Sequence, residues 1–134
     1  MLDPEFFTST AGMRRYRGFM TEPCPSRKPR ATLAKWGIVL GEDGALRMRG
    51  MMSGHPEFEG VGIITGPIWQ LNIEKRLMRT AERWFTLDRG YHEDVSFDIE
   101  VEAIGPVGHY VAPCVAKQYL ENMLRTFVQE LAIY

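Results

Sequence analysis

A switch in hydrophobic period near Gly105-Pro106 constrains the fold of this chain more than any other sequence feature. Before it, apolar residues recur at every second position, as they do in half-buried β-strands. After it, over residues 115–131, they recur at spacings of three and four, which is typical of an amphipathic helix of about five turns. The sequence therefore predicts an α+β protein that ends in a helix.

The alternation predicts five strands. The first two cover residues 32–40 and 45–52 and flank Gly41-Glu42-Asp43-Gly44, whose Asp-Gly step favours a hairpin. The third covers residues 61–65 and 68–73, with a bend at Gly66-Pro67 where proline removes a backbone donor. The fourth and fifth cover residues 77–87 and 95–103. We expect a five-stranded antiparallel sheet, strongly curved or closed into a small barrel, with the helix packed on it.

Length and composition exclude several classes of protein. A chain of 134 residues, 45% hydrophobic and 25% charged, has the size and composition of one globular domain. It lacks the run of roughly 18 apolar residues that a membrane span needs. Two cysteines are too few for a disulfide framework, and we expect a cytoplasmic protein with reduced thiols.

The N-terminal segment has a different character. Met1-Leu2-Asp3-Pro4-Glu5-Phe6 reads like translated cloning sites, and a second Met stands at position 13. We interpret residues 1–12 as vector-derived and residues 13–134 as a single domain. Within it, residues 13–31 form a basic, proline-containing arm, which we expect to run extended over the surface around Pro23–Pro29.

Charge is unevenly distributed along the chain. Residues 13–35 hold seven basic side chains against one acid, whereas residues 88–102 hold six acids against one arginine. A basic segment interleaved with aromatic residues favours nucleic-acid binding as the alternative function. The other interpretation is that the arm pairs with the acidic strand face. The candidate nucleic-acid contacts are Arg14, Arg15, Arg17, Arg27, Lys28 and Arg30.

The loop Gly54-His55-Pro56-Glu57-Phe58-Glu59-Gly60 is the most distinctive local string. A histidine such as His55 could serve as an acid, a base or a ligand. The alternative, which we favour, is a tight connection in which His55 caps a backbone group and Phe58 plugs the core. The candidate binding residues are His55, Glu57, Arg47, Arg49, Trp69 and Trp84.

The same loop carries a resemblance to a known family. It runs from Trp36 through Gly50, Gly54-His55-Pro56, Phe58, Gly60 and Ile64-Thr65 to Ile68, and continues in Thr80 and Phe85-Thr86-Leu87. This pattern resembles small bacterial orphan proteins of prophages and integron gene cassettes, with a Gly-His-Pro-x-Phe loop and an Ile-x-Thr strand. The chain departs from the family at Glu59, where an Asp is frequent, and at Gly66, where a Ser is expected. The resemblance implies a mobile-DNA context and no established activity.

Motifs of catalysis and cofactor binding are missing from the sequence. The three histidines and two cysteines lack the Cys-x-x-Cys or His-x-x-x-His spacing of a zinc site. Gly60-Val61-Gly62 lacks the Gly-Lys-Ser/Thr of a phosphate loop, and no nucleophile elbow is present. We therefore predict no metal, no cofactor and no catalytic residue. A small-ligand pocket or an enzyme site near His55 is the weakest alternative.

We predict a non-catalytic binding or adaptor protein that acts through contact with a partner protein, which the sequence does not identify. A homodimer is also expected, because one sheet face and one helix leave apolar surface uncovered. Met123 and Phe127, in the middle of the helix stripe, are the predicted dimer contacts.

Overall fold

The computed structural model describes residues 10–90 and 109–133 of the chain. These ranges contain two α-helices and seven β-strands. In chain order they are α1 (Thr10–Thr21), β1 (Thr32–Leu40), β2 (Leu46–Ser53), β3 (Gly60–Ile64), β4 (Gln70–Asn72), β5 (Leu77–Arg79), β6 (Trp84–Leu87), β7 (His109–Val111) and α2 (Pro113–Ile133). The predicted α+β class is confirmed.

The strands form one mixed sheet in the order β3-β2-β1-β6-β5-β4, with β7 paired to β1 off this path. Along one edge, β1 pairs antiparallel with β2. Its other edge is shared: Thr32 and Leu33 pair in parallel with β6, and residues 38–40 pair antiparallel with β7. The prediction of five antiparallel strands was wrong, because the sheet has seven strands and a parallel pair. The barrel alternative was also wrong, since the sheet is not closed.

Two breaks in the predicted strands account for part of the difference. The third predicted strand divides at Gly66-Pro67 into β3 and β4, as its expected bend suggested. The fourth divides into β5 and β6 at a turn closed by the Thr80 N–H, which donates to the Arg83 carbonyl at 3.0 Å. No glycine or proline marks this turn, so the sequence gives no signal for the break. The fifth predicted strand, residues 95–103, lies outside the described residues.

A bulge in β1 determines which side chains reach the core. The register against β2 shifts between Ala34 and Gly37, and Lys35 has a φ of +48°. This extra residue changes the phase of the alternation, so Leu33, and not the predicted Ala34, shares the core with Trp36. The Trp36 indole N–H donates to the Asp88 carbonyl at 2.7 Å, which ties β1 to the end of β6.

The predicted hairpin between the first two strands is confirmed. The Gly41 N–H donates to the Ala45 carbonyl at 2.9 Å, and the Gly44 N–H donates to the Gly41 carbonyl at 3.0 Å. Gly44 has a φ of +82°, a conformation that glycine adopts without a steric penalty. Asp43 accepts the Ala45 N–H and binds both terminal nitrogens of Arg47, at 3.0 and 2.6 Å.

This ion pair makes stability depend on pH. The hydrogen bonds from Arg47 hold the pKa of Asp43 below its ordinary value, partly opposed by burial. A depressed folded-state pKa stabilises the fold above the ordinary Asp pKa of about 3.9, and this stabilisation is lost as the pH falls through the folded-state pKa. The Asp43 and Arg47 side chains are 28% and 26% exposed, so we expect an effect below about 1 kcal/mol.

The test compares the parent with Asp43→Asn in urea unfolding between about pH 6 and pH 2. The difference between their free energies of unfolding should be largest near pH 6 and shrink toward pH 2. Glu121→Gln, at an exposed position of α2, is the control and should follow the parent. A difference between parent and Asp43→Asn that is constant across this range would show that the pair contributes no pH dependence.

Helix α1 was not predicted. Met13, Tyr16 and Met20 recur at spacings of three and four and are buried, while Arg14 and Arg15 are exposed. The helix thus contributes to the core the residues that the sequence analysis placed in a basic arm. It ends at Thr21, just before Pro23, whose ring prevents continuation of a helix.

Helix α2 confirms the predicted C-terminal helix, with two further residues at each end. Ala116, Leu120 and Phe127 are buried, and Tyr119 donates its hydroxyl to the Gly44 carbonyl at 2.5 Å. This bond fastens the helix to the hairpin. Val115 and Val128, members of the predicted apolar stripe, are 55% and 48% exposed. Neither helix among the described residues combines the length and hydrophobicity that a membrane span requires.

Candidate functional site

The loop between β2 and β3 is organised by His55. Its Nδ1 accepts the backbone N–H of Glu57 at 2.9 Å and of Phe58 at 3.1 Å. Nδ1 must therefore be unprotonated, and in the neutral imidazole Nε2 carries the proton. The prediction that His55 caps a backbone group is confirmed. Gly54 and Gly60, at the two ends of the loop, have φ values of +71° and +128°.

The prediction that Phe58 plugs the core was wrong, because its side chain is 53% exposed. The His55 ring lies 5.2 Å from the ring of Phe58 and is nearly parallel to the ring of Phe85, at 6.1 Å. Phe85 on β6 is the buried member of this group, at 3% exposure. The three rings form a step from the surface into the sheet.

A cleft of about 640 Å³ opens beside this step, between the β2–β3 loop and the β5–β6 turn. We call it the His55 cleft. Its lining is mostly apolar and consists of Met52, His55, Phe58, Gly62, Ile63, Ile64, Thr65, Gly66, Pro67, Thr80, Ala81, Glu82 and Phe85. This volume lies within the range of about 300 to 1,000 Å³ that is usual for ligand sites.

The hydroxyl groups in the cleft bind backbone atoms. Thr65 accepts the Met48 N–H at 3.1 Å and donates to the Gly66 carbonyl at 2.8 Å. Thr80 donates to the Arg83 carbonyl at 3.5 Å. These contacts hold the walls of the cleft and give the two buried threonines a structural role.

Exposed apolar side chains occur in the cleft and on the strand beside it. Phe58, Val61 and Ile64 are 53%, 79% and 39% exposed, and Phe58 and Ile64 line the cleft. Val61 and Ile64 lie on β3, which stands at the edge of the sheet formed by the described strands. Large apolar side chains that stay exposed beside a cleft are typical of a binding surface.

Acidic side chains stand at the same rim. Glu57 and Glu59 flank Phe58 in the loop, and Glu82 lines the cleft at the β5–β6 turn; all three are exposed. The described lining residues of the cleft include no lysine or arginine. The cleft therefore combines an apolar interior with a negatively charged border.

Of the six residues predicted to bind, His55 lines the cleft and Glu57 belongs to its loop. Arg47 pairs with Asp43, and Arg49 donates to the Tyr110 hydroxyl at 3.4 Å. Trp69 is buried and stacks on Tyr16 at 4.2 Å. Half-buried Trp84 lies under the Arg79 guanidinium at 5.8 Å.

Ile63, Thr80 and Phe85 line the cleft and were not predicted to do so. Thr80 and Phe85 lie 25 and 30 positions after His55, beyond the reach of a local motif.

The predicted nucleic-acid residues do not form one surface element. Arg14, Arg15 and Arg17 belong to α1, where Arg15 lies over the Phe19 ring at 5.7 Å. Arg27, Lys28 and Arg30 are exposed in the irregular segment before β1. The basic segment is thus divided between α1 and the irregular stretch that follows it.

The predicted dimer residues lie on the inner side of α2. Phe127 is 2% exposed and belongs to the core of the single chain, so the expectation that it forms an exposed contact was wrong. Met123 is half-buried and packs against the same core. A homodimer stays a prediction, and its contacts would have to be formed by other residues.

The metal-ligating residue types are dispersed over the described part of the chain. No three of its histidine, cysteine, aspartate and glutamate side chains cluster as metal ligands would. Cys24 and Cys114 are both free thiols, with Cys24 half-buried and Cys114 exposed.

Part of the loop-and-strand pattern described in the sequence lies around the His55 cleft. Gly54-His55-Pro56 and Phe58 form its loop, Ile64-Thr65 its strand wall, and Thr80 with Phe85 its opposite wall. Comparison of the chain with protein-family models, with curated proteins and with solved structures gave no match.

Proposed function

We propose that the protein is a non-catalytic binding protein that takes up an extended segment of a partner protein in the His55 cleft. One observation carries this proposal: an apolar cleft opens along an edge strand whose own apolar side chains are exposed. Addition of a strand at such an edge is a common mode of peptide recognition, in which neighbouring pockets select the side chains.

The backbone of β3 can supply the pairing. The Thr65 N–H donates to the Met48 carbonyl at 2.9 Å, and Gly50 stands opposite Ile63. Since bonded pairs alternate along an antiparallel ladder, the N–H and C=O of Ile64 point away from β2. Among the described residues no strand pairs with this edge. An added segment would therefore hydrogen-bond at Ile64.

The cleft can supply the anchor. An apolar side chain of the added segment would enter between Phe58 and Ile63 and approach Phe85 at the base of the cleft. Burial of apolar surface contributes about 25 cal/mol per Å², and buried anchors dominate the energy of most protein interfaces. Phe58 is half-exposed in the single chain, so it has area left to bury.

The acidic rim selects the charge of the partner. Glu57, Glu59 and Glu82 would attract lysine or arginine residues next to the apolar anchor and repel acidic ones. We therefore infer a partner segment in which apolar and basic residues alternate. Such a segment presents the anchor to the cleft and its cations to the rim.

The state of His55 supports binding over catalysis. A general base needs a nitrogen lone pair directed at the substrate. Nδ1 already accepts two backbone N–H groups, and the neutral ring carries its proton on Nε2. The cytoplasmic location, the homodimer and the mobile-DNA context are retained as parts of the proposal.

Binding is tested with a fluorescein-labelled peptide of alternating lysine and valine, and with its glutamate-valine counterpart. We expect the basic peptide to bind and the acidic peptide not to bind. Phe58→Ala should weaken binding of the basic peptide about tenfold, since it removes an aromatic anchor wall. It should cost less than about 1 kcal/mol in urea unfolding, because the ring is half-exposed.

Val128→Ala is the matched control, since Val128 is 48% exposed on α2 and lies outside the cleft. It should leave binding unchanged. Amide exchange at Ile64 should slow in the complex, because the proposed pairing protects that N–H. No binding of the basic peptide, or an equal loss in both variants, would contradict the proposal. Binding without slower exchange at Ile64 would contradict pairing with β3 and would favour a cleft that binds a small ligand.

A further inference from the structure

A second cleft, of about 550 Å³, lies on another part of the molecule. Three segments form its walls: the irregular stretch before β1, the turn between β4 and β5, and the residues that follow β6. It shares no lining residue with the His55 cleft. We call it the basic cleft.

The lining of the basic cleft is rich in positively charged side chains. Five cationic side chains line it, namely Arg27, Lys28, Lys75, Arg76 and Arg89. Asp88 is the one acid among the described lining residues. Its carboxylate accepts the backbone N–H of Arg89 at 2.8 Å. The net charge of the whole chain is −1, so this concentration of positive charge is local.

The backbone around the cleft is fixed by contacts among its walls. Thr86 donates its hydroxyl to the Pro29 carbonyl at 2.8 Å, which joins the segment before β1 to β6. Arg76 donates to the Asp88 carbonyl at 3.2 Å, and the Leu87 N–H donates to the Arg76 carbonyl at 2.9 Å. The cations therefore project from three segments that are held together, which pre-organises the site.

We propose that the basic cleft binds a chain of linked phosphate groups. A cluster of lysine and arginine side chains in a concave site concentrates positive potential and favours multiply charged anions. Arg27 and Lys28 stand on one wall of the cleft and Lys75 on another, so several phosphates in a row match the spread of these charges. A nucleoside polyphosphate and the backbone of a nucleic-acid strand both present this chemistry.

The test uses inorganic tripolyphosphate, followed by calorimetry, and a labelled oligothymidylate, followed by anisotropy, both with the full chain. The double variant Lys28→Ala/Lys75→Ala removes one cation from each of two opposed walls. It should weaken binding about tenfold at about 0.1 M salt. For the oligothymidylate, the slope of log affinity against log salt is negative, and each lost phosphate contact reduces its magnitude by about 0.7. The double variant should therefore reduce the magnitude of the slope by about 1.4.

Lys117→Ala/Arg125→Ala is the matched control, because both side chains are exposed on α2, lie outside the cleft and carry the same total charge. It should bind like the parent. Cleft-dependent binding of tripolyphosphate supports a free polyphosphate as ligand; cleft-dependent binding of the oligothymidylate alone supports a nucleic-acid strand. Failure of both probes to bind, or equal weakening by the two double variants, would overturn the proposal. Thermal unfolding of each variant confirms that it is folded.

Discussion

Phe127→Asp is expected to unfold the protein, and not to divide a dimer into folded monomers. Phe127 is 2% exposed and packs in a core to which α1, the sheet and α2 all contribute. Deletion of a buried Phe costs about 3 to 5 kcal/mol, and a buried carboxylate adds a desolvation penalty. This sum is comparable with the whole stability of a small domain, about 5 to 15 kcal/mol. Circular dichroism and urea unfolding measure the loss.

Val128→Asp provides the control at the adjacent position. Val128 is 48% exposed, so a carboxylate there stays in water and should change the free energy of unfolding by about 0.5 kcal/mol or less. Light scattering of the parent gives its oligomeric state independently of both variants. A folded Phe127→Asp protein with half the mass of a dimeric parent would contradict this assignment and restore Phe127 as a dimer contact.

Alternation located β2 because one of its faces is buried and the other is not. The bounds predicted for β1 agree with the structure, and the Asp-Gly turn fixed the hairpin that follows. The phase inside β1 could not be predicted, since the bulge at Lys35 leaves no residue-type signal. Periodicity therefore identified the strand, while its side-chain orientation depended on a tertiary contact.

Helix α1, by contrast, could have been predicted, because the sequence carries its hydrophobic periodicity. The spacing of Met13, Tyr16 and Met20 is the same periodicity that identified α2. The basic residues were grouped with the prolines at 23–29 into one arm, although basic residues on the outer face are compatible with an amphipathic helix.

The His55 cleft lay beyond prediction for a geometric reason. Its walls come from the loop around His55 and from the turn and strand at Thr80–Phe85, which the sheet brings together. The role of His55 as a cap followed from the glycine and proline residues around it. The 53% exposure of Phe58 did not follow from those residues.

Gly54→Ala is expected to be among the most destabilising changes to a glycine in this chain. Gly54 has a φ of +71°, and a Cβ there would meet the carbonyl oxygen of Arg30, with its carbonyl carbon at 2.9 Å. The obstacle is backbone, and it is fixed: the Pro29 carbonyl accepts the Thr86 hydroxyl, and the Ala31 carbonyl accepts the Thr86 N–H, both at 2.8 Å. Left-handed strain of about 1 to 2 kcal/mol and overpacking of about 1 to 3 kcal/mol add to about 2 to 5 kcal/mol.

Gly62→Ala separates the two contributions, since Gly62 has the same φ of +71° and a Cβ there would meet only the flexible end of Arg49, at 3.9 Å. It should cost the strain alone, about 1 to 2 kcal/mol in urea unfolding. Gly18→Ala, in α1 with open space around it, should instead stabilise the protein by about 0.5 to 1 kcal/mol.

The contact of Gly54 with Arg30 also positions the loop that carries His55 and Phe58, so Gly54→Ala should weaken binding of the lysine-valine peptide as well. Equal costs at Gly54 and Gly62 would show that the loop does not press against the start of β1.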